Sequence, residues 1–414
     1  VSASLAQKLL ITCLAVMLSL LAPAWVWGQE GQGNTAISGW GKLSLKGRAY
    51  YLKRDFEKTG LQEALALGLW AVYESPQWRG LSFGLGGYTS QPFLIDDPAH
   101  GGTGLLADGQ TGFSVLGQAW LQGRMGASAV KLGRQILETP FINSYDVKMV
   151  PVTLEGAAFT NNSLQALNIT AAHLTGIKTW NDTTFQTMSQ AAGFAGSDEP
   201  VSLAGAVWQP ATGYSIQVWN YFCHQFMNTV YFQADATWSL SKELSLAASF
   251  QSIDQREVGQ ALAGSFNAGQ WGLKLDLGWR GWILSAAYTG ARPDHDIVNP
   301  WGSYPGWTSI MEEDNDRAGE DTWLAALTYD FSQVGLKGLS AYTMHTFSHT
   351  PDSGPHASPD QTEHDLTVDY YFHGSLKDLW LRVRGAYVDQ DEALGGQDYS
   401  DFRIIINYDF TLGG

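Results

Sequence analysis

The chain has 414 residues, with 24 Lys and Arg against 40 Asp and Glu; a formal charge of −16 excludes the basic surface that nucleic-acid binding needs. It holds 46 Gly, 17 Trp and 17 Tyr but only 15% charged residues, and past its N-terminus it lacks the roughly 20-residue apolar runs of a helical membrane protein. Cys223 alone lies outside the N-terminal segment, which excludes an internal disulfide and a cysteine-based zinc site.

The N-terminus reads as an export signal: Lys8, an apolar core from Leu9 to Leu21, then small residues. Cleavage after Ala24 (Ala22-Pro23-Ala24) or after Gly28 fits equally well, so residues 1–28 are expected to be signal and 29–414 one domain.

The remainder alternates with a period of two. In Lys42–Tyr51, Leu43, Leu45, Ala49 and Tyr51 oppose Lys42, Lys46, Arg48 and Tyr50. From Val230 to Leu240, Val230, Phe232, Ala234, Ala236 and Trp238 oppose Gln233, Asp235 and Thr237. Trp271, Leu273, Leu275, Leu277 and Trp279 oppose Lys274, Asp276 and Arg280. Leu366, Val368, Tyr370 and Phe372 oppose Asp365 and Asp369; Leu379, Leu381, Val383 and Tyr387 oppose Arg382 and Arg384. In the last segment Phe402, Ile404, Ile406, Tyr408 and Phe410 oppose Arg403, Asn407 and Asp409.

In these six segments every charge sits opposite the apolar side. A sheet whose greasy side faces lipid requires this, since a Lys or Arg at the bilayer midplane costs about 2–4 kcal/mol. A soluble sheet would need another layer over the apolar face, and no helical pattern supplies one. Arg134 departs from the rule: it shares parity with Val130 and Leu132, so a bulge or strand end would have to turn it inward.

About eighteen such segments occur, joined by alternating short and long connections. Short ones include Gln209–Gly213, Leu240–Glu243, Trp279–Gly281 and His373–Lys377. Long ones include Gln91–Gln110, Lys178–Pro200, Arg292–Asp321, His349–Glu363 and Asp389–Ser400. The expected fold is an all-β transmembrane antiparallel barrel of about 18 strands, with short periplasmic turns and long extracellular loops. That places the protein in the outer membrane of a Gram-negative bacterium, against lipid and lipopolysaccharide; a homotrimer is left open.

For chemistry, the informative stretch is Lys131–Gly156, where a Gly-Arg-Gln strand end leads into a loop bounded by Pro140 and Pro151. It carries the run Thr139-Pro140, then Asp146, Lys148, Met149, and a Thr153-Leu-Glu-Gly156 strand start. With Tyr50–Phe56, Gly102–Leu106, Arg317–Glu320, Gly335–Leu339 and the two final strands, this resembles the OprD-type porins of Gram-negative outer membranes.

The resemblance implies an eighteen-stranded barrel whose third long loop folds into the lumen and forms a narrow eyelet. Phe141–Pro151 is then the constriction loop, with Asn143, Tyr145, Asp146 and Lys148 facing the pore. Arg48, Lys131, Arg134, Lys274, Arg280, Arg382, Arg384 and Arg403 are the candidates for a basic row on the wall. The function so implied is passive, substrate-preferring diffusion of small carboxylate-bearing solutes or amino acids, with no cofactor. Fixed charges replace part of the solute's hydration yet must release it.

The alternatives are an outer-membrane enzyme with a hydrolytic site on its loops, and a secreted all-β binding protein. His345 and His349 share a strand face, and His356 and His364 follow, but without a Cys or carboxylate scaffold no metal site is expected. Asp314–Gly319 starts like a calcium loop but lacks the later Glu, with Ala at 325; a looser divalent-ion site there is left open.

Overall fold

The computed structural model describes residues 39–413; the expected signal peptide lies outside them. Among the described residues nineteen strands form a single antiparallel sheet, and the first and last of them are hydrogen-bonded to each other. β1 (Lys42–Phe56) runs against β19 (Tyr399–Gly413) over its whole length, from Lys42 opposite Gly413 to Phe56 opposite Tyr399. The sheet therefore closes into a barrel and leaves no unpaired edge. Eighteen strands make the wall. The exception, β8 (Gln186–Thr187), is a two-residue piece of loop paired with the end of β7 (Leu167–Lys178).

Each of the eighteen alternating segments forms a strand. The rim of long loops is less uniform than expected, because residues 57–59 and 224–226 are three-residue turns on that same side.

Burial is inverted relative to a soluble fold. Leu69, Leu85, Leu121, Leu273, Leu275 and Leu366 are exposed on the outside, while Arg48, Gln251, Gln255, Thr289, Glu363 and Asn407 are buried within. Aromatic side chains gather at both margins of this exterior. Trp271, Tyr288 and Trp323 follow one another at 5.2 and 4.8 Å on the long-loop side, and Trp282 meets Tyr329 at 4.1 Å on the short-turn side. On β13 (Asn267–Trp279), Trp271 and Trp279 lie eight residues apart. At about 3.4 Å per residue and a tilt near 40°, that spacing spans roughly 20 Å, close to the thickness of the apolar band of such barrels.

The interior is not evenly filled. Phe141, Ile142, Trp301 and Tyr304 of two loops pack with Tyr221, Phe226, Tyr231 and Ile253 into an apolar mass against one side of the barrel. Charge collects on the other side.

Candidate functional site

The segment between β5 (Ser128–Gln135) and β6 (Thr153–Leu164) crosses the lumen instead of standing above it. At its root the Thr139 hydroxyl and amide both donate to the Ile142 carbonyl, at 2.8 and 2.9 Å. This small turn aims Phe141 at the far wall, where its ring meets Tyr221, Tyr231 and Tyr304 edge-on at 5.6–6.1 Å. The chain then turns back through Tyr145, whose φ of +39° is held by the Asn143 side chain accepting the Tyr145 amide at 3.1 Å.

The tip lands on β1 and on β2 (Gly60–Glu74). The Arg48 guanidinium grips both oxygens of Asp146, at 2.6 and 3.1 Å, donates to the Lys148 carbonyl and gives its Nε to Asn407 at 2.7 Å. Trp70 Nε1 donates to the Met149 carbonyl at 2.7 Å and the Tyr50 hydroxyl to the Val147 carbonyl at 3.2 Å. Lys46 lies 3.6 Å from Asp146 and 3.7 Å from Asp409. One strand, β1, thus supplies three of the anchors, at the i, i+2, i+4 spacing that points inward.

A second loop, residues 292–320, also enters the lumen. The Met311, Glu312 and Glu313 amides donate to the carboxylates of Asp365 and Glu363 at 2.8–3.0 Å, both on β17 (Gln361–Tyr371). This lays the Glu312 carboxylate onto Arg54 and Arg403, which also share Asp401. The two loops touch where Asn143 Nδ2 donates to Ser303 Oγ at 2.9 Å and the Ser303 amide donates back at 3.1 Å.

Between these loops and β18 (Leu379–Gln390) the charges are not equally engaged. Arg382 is forked onto Asp369 at 2.7 and 2.8 Å. Among the described residues Arg384 has one side-chain hydrogen bond, Nε to Thr367 Oγ1 at 3.2 Å, and no carboxylate within the 4.0 Å of an ion pair. Two residues along β17 from Thr367, Asp365 is buried and its Oδ1 has no hydrogen-bond partner among the described residues. On the constriction loop, burial and then the neighbouring Arg403 and Arg54 push the Lys148 ammonium down to about 7.

Of the expected loop residues, Asp146 and Lys148 lie against the charged wall, whereas Asn143 builds the contact between the loops and Tyr145 packs edge-on against Trp180 at 5.2 Å. Arg48, Arg382, Arg384 and Arg403 come together on adjoining strands. Lys131, over Trp120 at 4.4 Å, and Lys274, 3.3 Å from Asp276, face inward elsewhere on the wall.

Two residues must be corrected. Arg134 stays on the outer face with Val130 and Leu132, half-exposed, paired with Glu155 at 3.0 Å beneath Phe185; the register across it is regular, so no bulge turns it inward. Arg280 sits in a two-residue turn at φ +46°, exposed and bonded to Glu243 at 2.6 Å, at the end of the wall and not along it.

The sequence reading omitted Arg54 and the acidic partners Glu312, Glu363, Asp369 and Asp401. Arg54 carried a signal, since it shares the parity of Arg48; Glu312 carried none, because its long loop has no period.

Residues 40–412 match the family described as outer membrane porin, OprD family. The chain belongs to the OprD family. It is 22% identical over 404 residues to Porin D of Pseudomonas aeruginosa, covering 89% of this chain and 90% of that one. Among solved structures it superposes on OccK9 (OpdG) of P. aeruginosa with a TM-score of 0.83 and 24% identity, over 90% of this chain and 98% of the other. P. aeruginosa OpdK, solved with vanillate, gives a TM-score of 0.82 at 19% identity over 89% and 98%. A BenF-like porin from Pseudomonas fluorescens gives 0.82 at 20% identity over 90% and 98%. This OprD-family barrel is thus a substrate-preferring channel of the Gram-negative outer membrane, through which small solutes pass.

Proposed function

We propose that the preferred solutes carry a carboxylate, amino acids among them, and that they cross the eyelet along Arg384 without being chemically altered. The observation that carries this reading is the contrast on the β17–β19 wall. Arg382 and Arg403 are neutralised by Asp369, Asp401 and Glu312, whereas the Arg384 guanidinium is left to a hydroxyl. A guanidinium with free donors presents a fork to a carboxylate. The vanillate reported with OpdK, an anion with one carboxylate, is of this class.

Asp146 and Lys148 lie against the adjoining part of the same wall, fixed by Arg48. The exposed apolar exterior is covered by outer-membrane lipid, with lipopolysaccharide on the long-loop side.

Planar-bilayer recordings under gradients of benzoate, glycine and chloride test the proposal. Arg384→Gln should lower benzoate permeability relative to chloride severalfold. An unchanged ratio in this variant would remove Arg384 from the solute path.

A further inference from the structure

Strand register brings together two histidines that the sequence holds apart. β16 (Leu339–His349) pairs with β17 so that His345 lies directly opposite His364. Both project outward: the alternate residues Thr346, Ser348, Glu363 and Asp365 are buried inside, while Phe347 and Leu366 are exposed on the outside. The His345 and His364 Nδ1 atoms are 2.8 Å apart, and the Phe347 ring stands edge-on to His364 at 6.3 Å. The pair therefore interrupts the outer aromatic belt on the long-loop side, at the level where head groups and water meet the barrel.

The hydrogen bonds settle one tautomer. The single hydroxyl proton of Thr343 goes to the Asp365 carbonyl at 2.7 Å, so the 3.0 Å contact between Thr343 Oγ1 and His345 Nε2 has the ring as donor. His345 thus carries its proton on Nε2 and turns the Nδ1 lone pair toward His364. A ring nitrogen bound to the protein through one N–H, with the other nitrogen presented, is how proteins orient a metal-ligating histidine. Two cis nitrogen ligands at about 2.0 Å from an ion stand about 2.8 Å apart.

We infer that His345 and His364 form a two-nitrogen site for a borderline transition-metal cation on the outer face of the barrel. The ion takes the place of the proton between the two Nδ1 atoms, and His364 transfers that proton to its outward Nε2, so no proton is released. Two imidazoles with no thiolate select Cu²⁺, then Ni²⁺ and Zn²⁺, and discriminate against Ca²⁺ and Mg²⁺, which require oxygen ligands. Among the described residues no third His, Cys, Asp or Glu completes the set, so water fills the remaining positions.

The test is a Cu²⁺ titration of the full, tag-free protein in detergent micelles, followed by electron paramagnetic resonance, with channel conductance confirming that each variant is folded. One ion per chain with two equivalent nitrogen couplings is expected, unaffected by excess Mg²⁺. His345→Ala and His364→Ala should each weaken binding at least tenfold, and Thr343→Val, which removes no ligand, roughly tenfold. His349→Ala should change nothing, because that ring is engaged by Asp360 at 2.8 Å. Parent-like binding in either His345→Ala or His364→Ala, or loss of the signal in His349→Ala, would overturn the assignment.

Discussion

Arg48 and Asp146, 98 residues apart in the chain, meet in a two-point fork that ties the tip of the constriction loop to the first strand. The arginine is only 4% exposed. Its other donors go to Asn407 and to the Lys148 carbonyl, so one side chain sets the distance between loop and wall. A charge-assisted bond of this kind contributes about 1.5–3 kcal/mol. Asp146→Asn should therefore loosen the loop without unfolding the barrel. Single-channel records should show larger and noisier conductance, and limited proteolysis should cut near Tyr145 faster than in the parent.

Selectivity should depend on pH through Lys148. Its ammonium titrates near 7 because burial and the neighbouring Arg403 and Arg54 disfavour the charged form. Raising the pH from 6 to 8 removes that positive charge from the eyelet. Burial also pushes the Glu312 carboxyl up, so its loss of a proton acts in the same direction. Anion preference should fall across this interval. Reversal potentials at pH 6 and 8 check it, and Lys148→Met should flatten most of the change.

Arg382 and Arg384 are two residues apart, yet their removal should have different consequences. Arg382→Gln leaves buried Asp369 without its counter-ion, which costs about 3–5 kcal/mol when a buried pair is broken from one side. Arg384→Gln strands no carboxylate and should leave stability near that of the parent. Urea titrations of the two variants in lipid vesicles would separate them; equal loss of stability would contradict the pairing described above.

The two faces of β13 allow a paired test of the wall. Leu275 is 55% exposed on the outside, and Lys274, its neighbour, points inward to Asp276. Leu275→Arg should destabilise the folded barrel in bilayers by about 2–4 kcal/mol, whereas an arginine in place of Lys274 should be tolerated. A small penalty for Leu275→Arg would mean that hydrocarbon does not cover this face.

The wall was legible because lipid and water impose opposite demands on alternate residues; Leu273–Lys274–Leu275–Asp276 states both within four positions. The same rule placed Arg134 on the outer face, and the bulge or strand end that would have turned it inward is not there, since both of its strand pairings keep a regular register. Arg280 failed for a local reason: parity has no meaning once the chain leaves the strand. The eyelet was half legible. Asp146 stood out because it sits between prolines in a loop of mixed polarity, but its partner Arg48 could not be singled out from the other inward cations. Glu312 and the entry of residues 292–320 left no trace, since contacts to Glu363 and Asp365 are made by backbone amides that any sequence provides.

The seam between Lys42–Phe56 and Tyr399–Gly413 has a consequence for biogenesis. Until the fifteen residues of Tyr399–Gly413 have been synthesised and delivered, the preceding strands form a curved ribbon with two unpaired margins, and such a ribbon cannot rest in hydrocarbon. Insertion must therefore be late and collective. The nascent sheet has to be chaperoned across the periplasm, and loss of the last strand would abolish the whole cylinder instead of shortening it.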